Sequence, residues 1–339
     1  MRRRRPSDVL ERARTLHEAR DYPALVALLS PLDAAGRLDE PELRFLLADA
    51  WDVVGEGDRA LEQVERLAPV CARRGNDGLH RKRLNLEGIL RFERGDIAGA
   101  ESAWRKMLDA ASRAGDEDFV ARANNNLGII CTLQGRQAEA LACYERALAA
   151  YRRLGYLRGL AQAHQNVAIT YRELGFGHEA DAHFRHAITY ARAAGSEDEL
   201  ARAEQERALY FLYMRRDARL ADTTARRALH RFRALTEPGG EGEVQRVLGI
   251  IALAEDRRTA AREHLDAAVT FARSSHRRLL LAEALEALAA LDLVEGDEAG
   301  AHARREEAAG IFEALGAAAW GERIRLRMTA VAASVATVR

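Results

Sequence analysis

Apolar positions along this chain recur at helical spacing, in blocks of about fifteen to seventeen residues that break at a fixed interval. Glycine stands at positions 55, 75, 95, 115, 135, 155, 175 and 195. A glycine just past a helix takes the left-handed backbone conformation that closes its last turn. The grid therefore predicts a helix stop every twenty residues, and two such helices make a hairpin.

Other columns lengthen the true period to forty. Small residues recur at Ala48, Gly88, Gly128 and Ala168, in the first helix of each pair, and alanines at Ala60, Ala100, Ala140 and Ala180, in the second. Four residues later come the larger side chains Val64, Trp104, Tyr144 and Phe184. Small residues let two helix backbones approach, and large ones fill the gap between hairpins. Past Gly195 the grid slips by one residue. Ala221, Ala225 and Ala228 carry a slipped pair, Pro238-Gly239-Gly240 reads as a break, and two further pairs follow at Gly249, Ala261, Leu265 and Ala268, then Ala289, Ala301, Arg305 and Ala308.

The divisions expected are 1–36, a basic start and a degenerate first pair; 41–196, four regular repeats; 197–237, the slipped repeat; 241–316, two more; and 317–339, a helix and tail. That last helix, from about Ala317 to Ala333, is expected to shield the apolar end of the stack. One repeat departs from the pattern, placing Glu87 and Arg91 where its neighbour has Leu127 and Cys131. Rotation of that helix to use Leu86, Ile89 and Leu90 as core is favoured over a partly buried ion pair.

Leu127-Gly128 with Cys131, Ala140, Tyr144 and Ala147, and Val167-Ala168 with Tyr171, Ala180, Phe184 and Ala187, resemble the tetratricopeptide repeat. The usual period of that family is about 34, and the longer helices here resemble its kinesin-light-chain-like and bacterial regulatory members. The resemblance implies an all-α fold, a right-handed α-solenoid of about eight helical hairpins with a C-terminal capping helix. It also implies that the first helices line a concave groove.

Five of six asparagines lie on expected first helices: Asn85, Asn124, Asn125, Asn126 and Asn166. Asparagine costs about half a kcal/mol against alanine inside a helix, so three in succession need a reason. Gln162, Gln165 and Gln205 extend the row, and Asn85, Asn125 and Gln165 fall at equivalent places forty apart. An amide both donates and accepts, which suits a peptide bond whatever its side chains. In the family it resembles, such asparagines hold the main chain of an extended peptide. Bonding between neighbouring helices is the competing role. Asn85, Asn125, Asn126, Gln162, Gln165 and Asn166 are thus the candidate ligand-binding residues, with Arg122, Arg172 and Arg202 to favour acidic ligands. The carboxylate clamp of co-chaperone members is absent, because Ile89 and Gln162 flank Asn126 in its place.

Composition narrows the rest. Lys plus Arg and Asp plus Glu both total 52, so the basic excess of a nucleic-acid binder is missing. Cys71, Cys131 and Cys143 form no CxxC and read as buried residues of a reducing compartment. Arg2 to Arg5 are followed by Pro6-Ser7-Asp8 and no apolar run, so a secretory signal is not expected. No stretch approaches a membrane span of about 18 apolar residues. Together these point to a cytoplasmic protein with no membrane partner.

Gly175-Phe176-Gly177-His178-Glu179-Ala180 fits the dinucleotide fingerprint, but a helical pattern precedes it where a strand is required. His178, His183 and His186 cluster without converging ligands, reading as surface histidines rather than a metal site. No catalytic string occurs, so neither enzyme activity nor a cofactor or metal is expected. The function expected is a non-catalytic protein- or peptide-binding scaffold, with self-association through exposed ends or the groove as a further partner mode. The alternative is a bacterial signalling regulator whose array senses a peptide and controls a separate protein.

Overall fold

The structure, a computed structural model, describes residues 6–74, 78–235 and 238–336. Gly75 and Arg2 to Arg5 lie outside them. Among the described residues there are seventeen α-helices and no strand. They run α1 (Pro6–Glu18), α2 (Tyr22–Ala34), α3 (Pro41–Val53), α4 (Gly57–Arg74), α5 (Gly78–Glu93), α6 (Ile97–Ala114), α7 (Glu117–Leu133), α8 (Gln137–Leu154) and α9 (Leu157–Glu173). Then follow α10 (Gly177–Ala193), α11 (Glu197–Met214), α12 (Ala218–Ala234), α13 (Pro238–Ala254), α14 (Arg258–Ser274), α15 (Arg278–Glu295), α16 (Glu298–Ala314) and α17 (Ala318–Ala336). Consecutive helices pack as pairs, an all-α solenoid of repeated hairpins. The chain divides into two compact units, residues 1–119 and 120–339.

Each stop is built the same way. Gly55, Gly95, Gly115, Gly135, Gly155, Gly175 and Gly195 all have φ between +62° and +85°. After Gly195 the period survives in the backbone rather than in the residue type. Arg216, Asp256 and His276 take φ of 51°, 54° and 56°, followed by Gly296 and Gly316. The grid therefore does not end at Gly195; it shifts by one residue and is carried by side chains that rarely adopt this conformation. Helix starts carry their own signal, since Asp21, Asp96, Asp217 and Asp297 each accept from the main-chain N–H three residues on.

In the first unit, α1 to α3 enclose Ala13, Leu25, Leu29, Leu43, Leu46 and Leu47, while Ala48, Ala60, Val64, Leu86 and Leu90 pack the next pair. The expected rotation of α5 is only half the answer. Leu84, Leu86 and Leu90 are buried, but Ile89 is half-exposed and the ion pair also forms. Glu87 accepts from Arg83 at 2.6 Å and pairs with Arg91 at 3.0 Å. Two guanidiniums four residues either side of one carboxylate satisfy it on a single helix face.

The second unit shows why the columns alternate small and large. A Cβ at Gly128 would stand 2.4 Å from the fully buried Tyr144 ring. Tyr144 Oη and Thr132 Oγ1 are 3.2 Å apart, tying the two helices where they touch. Pro238-Gly239-Gly240 is not a break: α13 begins at Pro238, the residue best suited to a first helical turn. A Cβ on Gly240 would lie 2.2 Å from Phe232, so this glycine admits the α12 ring. The last helix also does more than cover an end, as the contacts of α17 show below.

Candidate functional site

All sites described here lie within the second unit except where stated. Its first helices, α7, α9, α11, α13 and α15, present a face rich in polar side chains that are nonetheless buried. Asn124, at 2% exposure, donates to the Val120 carbonyl at 2.8 Å and accepts from Arg146 at 2.9 Å. It is a clasp between α7 and α8. Asn125, at 6% exposure, accepts from Asn166 Nδ2 at 3.1 Å. Gln162 donates to Glu199 at 2.5 Å, and Gln205 donates to Glu243 at 3.2 Å. The amide row thus links one first helix to the next, and each of these bonds uses one of the several hydrogen-bonding positions an amide offers. Asn126, Gln165 and Asn166 are half-buried on the same helices, and in the first unit Asn85 is half-buried on α5.

The arginines enter a charged network. Arg122 stacks over Tyr156 at 5.6 Å and Arg202 over Phe232 at 5.7 Å. Arg172 is buried, donating to the main-chain carbonyl of Glu206 at 3.1 Å, to its carboxylate at 2.9 Å and to Glu173 at 3.2 Å. Farther along, Arg277 pairs with Glu243 at 3.0 Å and Arg246 with Glu283 at 3.1 Å. Burial pushes the Glu283 carboxyl above its ordinary value despite Arg246.

Onto this face comes α17. Trp320 Nε1 donates to Glu283 at 2.6 Å and Arg325 to Glu286 at 3.1 Å, both on α15. Arg323 donates to the Thr132 carbonyl on α7 at 2.8 Å. Arg327 forks onto Glu173 of α9 at 3.1 and 3.0 Å and lies 4.6 Å over the Tyr213 ring of α11. The Glu173 side chain has 0% exposure. Burial would raise its carboxyl, but Arg172, Arg327 and Arg323 hold it below the ordinary value. The sequence shows Glu173, Arg323 and Arg327 only as ordinary charged residues. The i,i+4 arginines beside the apolar stripe Ile324, Met328, Ala332 and Val335 are the one available hint.

The other candidate motifs resolve simply. Gly175 lies in the turn between α9 and α10 and Gly177 opens α10, with a helix and no strand before them. His178 is exposed and apart, while His183 and His186 join a residue the sequence did not single out, His164. His164 Nδ1 and His183 Nδ1 are 3.0 Å apart, and Tyr190 stacks on the His164 ring. Burial, then the neighbouring His183 and His186, push His164 down to about 3. Among the described residues no group of three His, Cys, Asp or Glu is arranged to hold a metal, and no helix is long and apolar enough to cross a membrane. Cys71, Cys131 and Cys143 are buried and unbridged.

Residues 83–153 match the family model described as tetratricopeptide repeat, and the same helix pairing continues on both sides of that stretch. That stretch is similar to the tetratricopeptide repeat. Comparison with proteins of curated function gave no match. Among solved structures, a Rap protein complexed with Competence and Sporulation Factor is similar at TM-score 0.62 and 14% identity, over 96% of this chain and 98% of that one. The apo form of RapI is similar at TM-score 0.67 and 10% identity, over 79% and 97%. The Rap conjugation gene regulator of plasmid pLS20, in complex with the Phr* peptide, is similar at TM-score 0.59 and 15% identity, over 86% and 96%. At such identities the likeness is one of fold.

Proposed function

We propose that this protein is a non-catalytic scaffold that holds a peptide or protein segment against the first-helix face of its second unit. The observation that carries this is the row of buried and half-buried amides and carboxylates that bond one first helix to the next, Asn125 with Asn166, Gln162 with Glu199 and Gln205 with Glu243. A face that only packed would be apolar, whereas amides with spare donors and acceptors suit a peptide main chain. A pre-ordered receptor also loses little entropy on binding.

Two Rap structures of the same fold carry a bound peptide or signalling factor, which supports a second reading as a peptide-responsive regulator of a separate partner. Both readings use the same face. Phage-displayed random decapeptides selected on the full chain supply a probe, and calorimetry measures one selected peptide. The Asn125→Ala, Asn166→Ala chain should bind it at least tenfold more weakly with unchanged helix content; equal affinity would remove the amide row from the site. A change in X-ray scattering on adding the peptide would favour the regulatory reading.

A further inference from the structure

The strongest feature left over is the seat of α17. Arg323 and Arg327 are one helical turn apart and leave the α17 surface toward three earlier first helices, α7, α9 and α11. Their acceptors are a main-chain carbonyl, a buried carboxylate and an aromatic face, which are the three things a guanidinium recognises. Without them the buried set is short of positive charge. Glu173 would keep only Arg172, which it shares with Glu206. Covering Glu173 without bringing a cation to it is costly, so a segment that buries this face must carry positive charge.

The fit of α17 is also incomplete. A cavity of about 360 Å³ remains between its Ala330, Val331 and Ser334 and the Leu212, Tyr213 and Ala254 side chains. Near its start α17 approaches the α7–α8 turn closely, since a Cβ on Gly135 would stand 3.1 Å from Ala319 Cβ. Beyond Arg327 the stripe of Met328, Ala332 and Val335 stays buried, so the cavity opens along one flank of the helix only.

We infer that the first-helix face of the second unit selects a segment bearing two arginines one helical turn apart, and that α17 is its resident occupant, displaced by a ligand of that chemistry. This rests on the groove reading above and sharpens it. The charge preference it assigns is opposite to the acidic one suggested by Arg172 and Arg202, because those arginines are committed to internal partners.

The test uses a fluorescent synthetic peptide of residues 318–336 and the full-length chain. In the Arg323→Ala, Arg327→Ala chain, whose own helix is weakened, the peptide should bind at least tenfold more tightly than in the unaltered chain. A peptide lacking both arginines should lose that binding. Equal binding of the two peptides, or equal binding by the two chains, overturns the inference. Should the variant chain fail to fold, excess peptide added to the unaltered chain should speed hydrogen exchange in its own α17 at least fivefold and leave α9 unchanged; no change overturns it. These outcomes do not depend on Asn125 or Asn166, so failure of the amide row and failure of the arginine seat are separately visible.

Discussion

Single residues carry two departures from the simple pattern. Arg216 sits where seven earlier stops use glycine, at φ 51°. The left-handed conformation costs an ordinary L residue about 1–2 kcal/mol, and the greater freedom of glycine in the unfolded chain returns about 0.4–1 kcal/mol of that. Arg216→Gly should therefore stabilise the protein by about 0.5–1 kcal/mol, measured by urea unfolding. The gain at Asp256 should be smaller, because Asp256 also accepts from Arg258 at 2.7 Å. His164 gives a pH dependence of definite sign. Unfolded, it titrates near 6.5; folded, burial and the facing His183 and His186 lower it to about 3. The unfolded chain thus binds the extra proton between those values, and stability from this group is whole above pH 6.5 and lost as pH falls toward 3. The melting temperature should drop between pH 7 and pH 5, and His164→Gln should make that drop shallower. An identical slope in both proteins would show that the His164 ring does not titrate this way. None of this was legible from spacing alone, because His164 lies on α9 and its partners on α10, and a left-handed arginine leaves no mark in the composition.

Helices obey the columns more closely. The columns predict close helix approach at Gly88 and Gly128 and large side chains between hairpins; the structure sets the two together, Gly128 against Tyr144 and Gly88 against Trp104, at a distance only a glycine admits. Gly128→Ala gains about 1 kcal/mol of helix propensity but forces a fully buried ring out of place, an overpacking cost of about 1–3 kcal/mol. The balance should be destabilising, by about 1 kcal/mol in urea unfolding, and Tyr144→Leu in the same chain should recover part of it. What the columns missed is equally physical. Glycines in Pro238-Gly239-Gly240 read as a break because glycine weakens a helix, yet Gly240 is needed there to admit Phe232. Rotation and ion pairing are alternatives in the sequence, whereas the helix buries Leu84, Leu86 and Leu90 and also forms the Arg83–Glu87–Arg91 pairs among them, because Glu87 is satisfied from both sides. The amide row lay on the first helices as expected, but its cross-helix bonds join residues 37 to 41 apart, a spacing near the period that several pairings would satisfy.

At the scale of the molecule, a solenoid normally owes its stability to neighbours in sequence. The second unit departs from this, since Arg327 meets Glu173 across 154 residues and Arg323 meets Thr132 across 191. These bonds should make the unit melt more cooperatively than a string of hairpins. Arg327→Ala should lower the urea m-value and let α17 exchange ahead of α9; a sharp single transition unchanged in slope would count against long-range coupling. The partners of α17 were invisible in sequence for the same reason, because nothing periodic relates position 327 to position 173. The same distance has a meaning during synthesis. At about 5–20 residues per second, Glu173 is synthesised roughly eight to thirty seconds before Arg327 exists. Through that interval Glu173 has only Arg172 of the three arginines that meet it, and the final stretch of translation supplies Arg323 and Arg327.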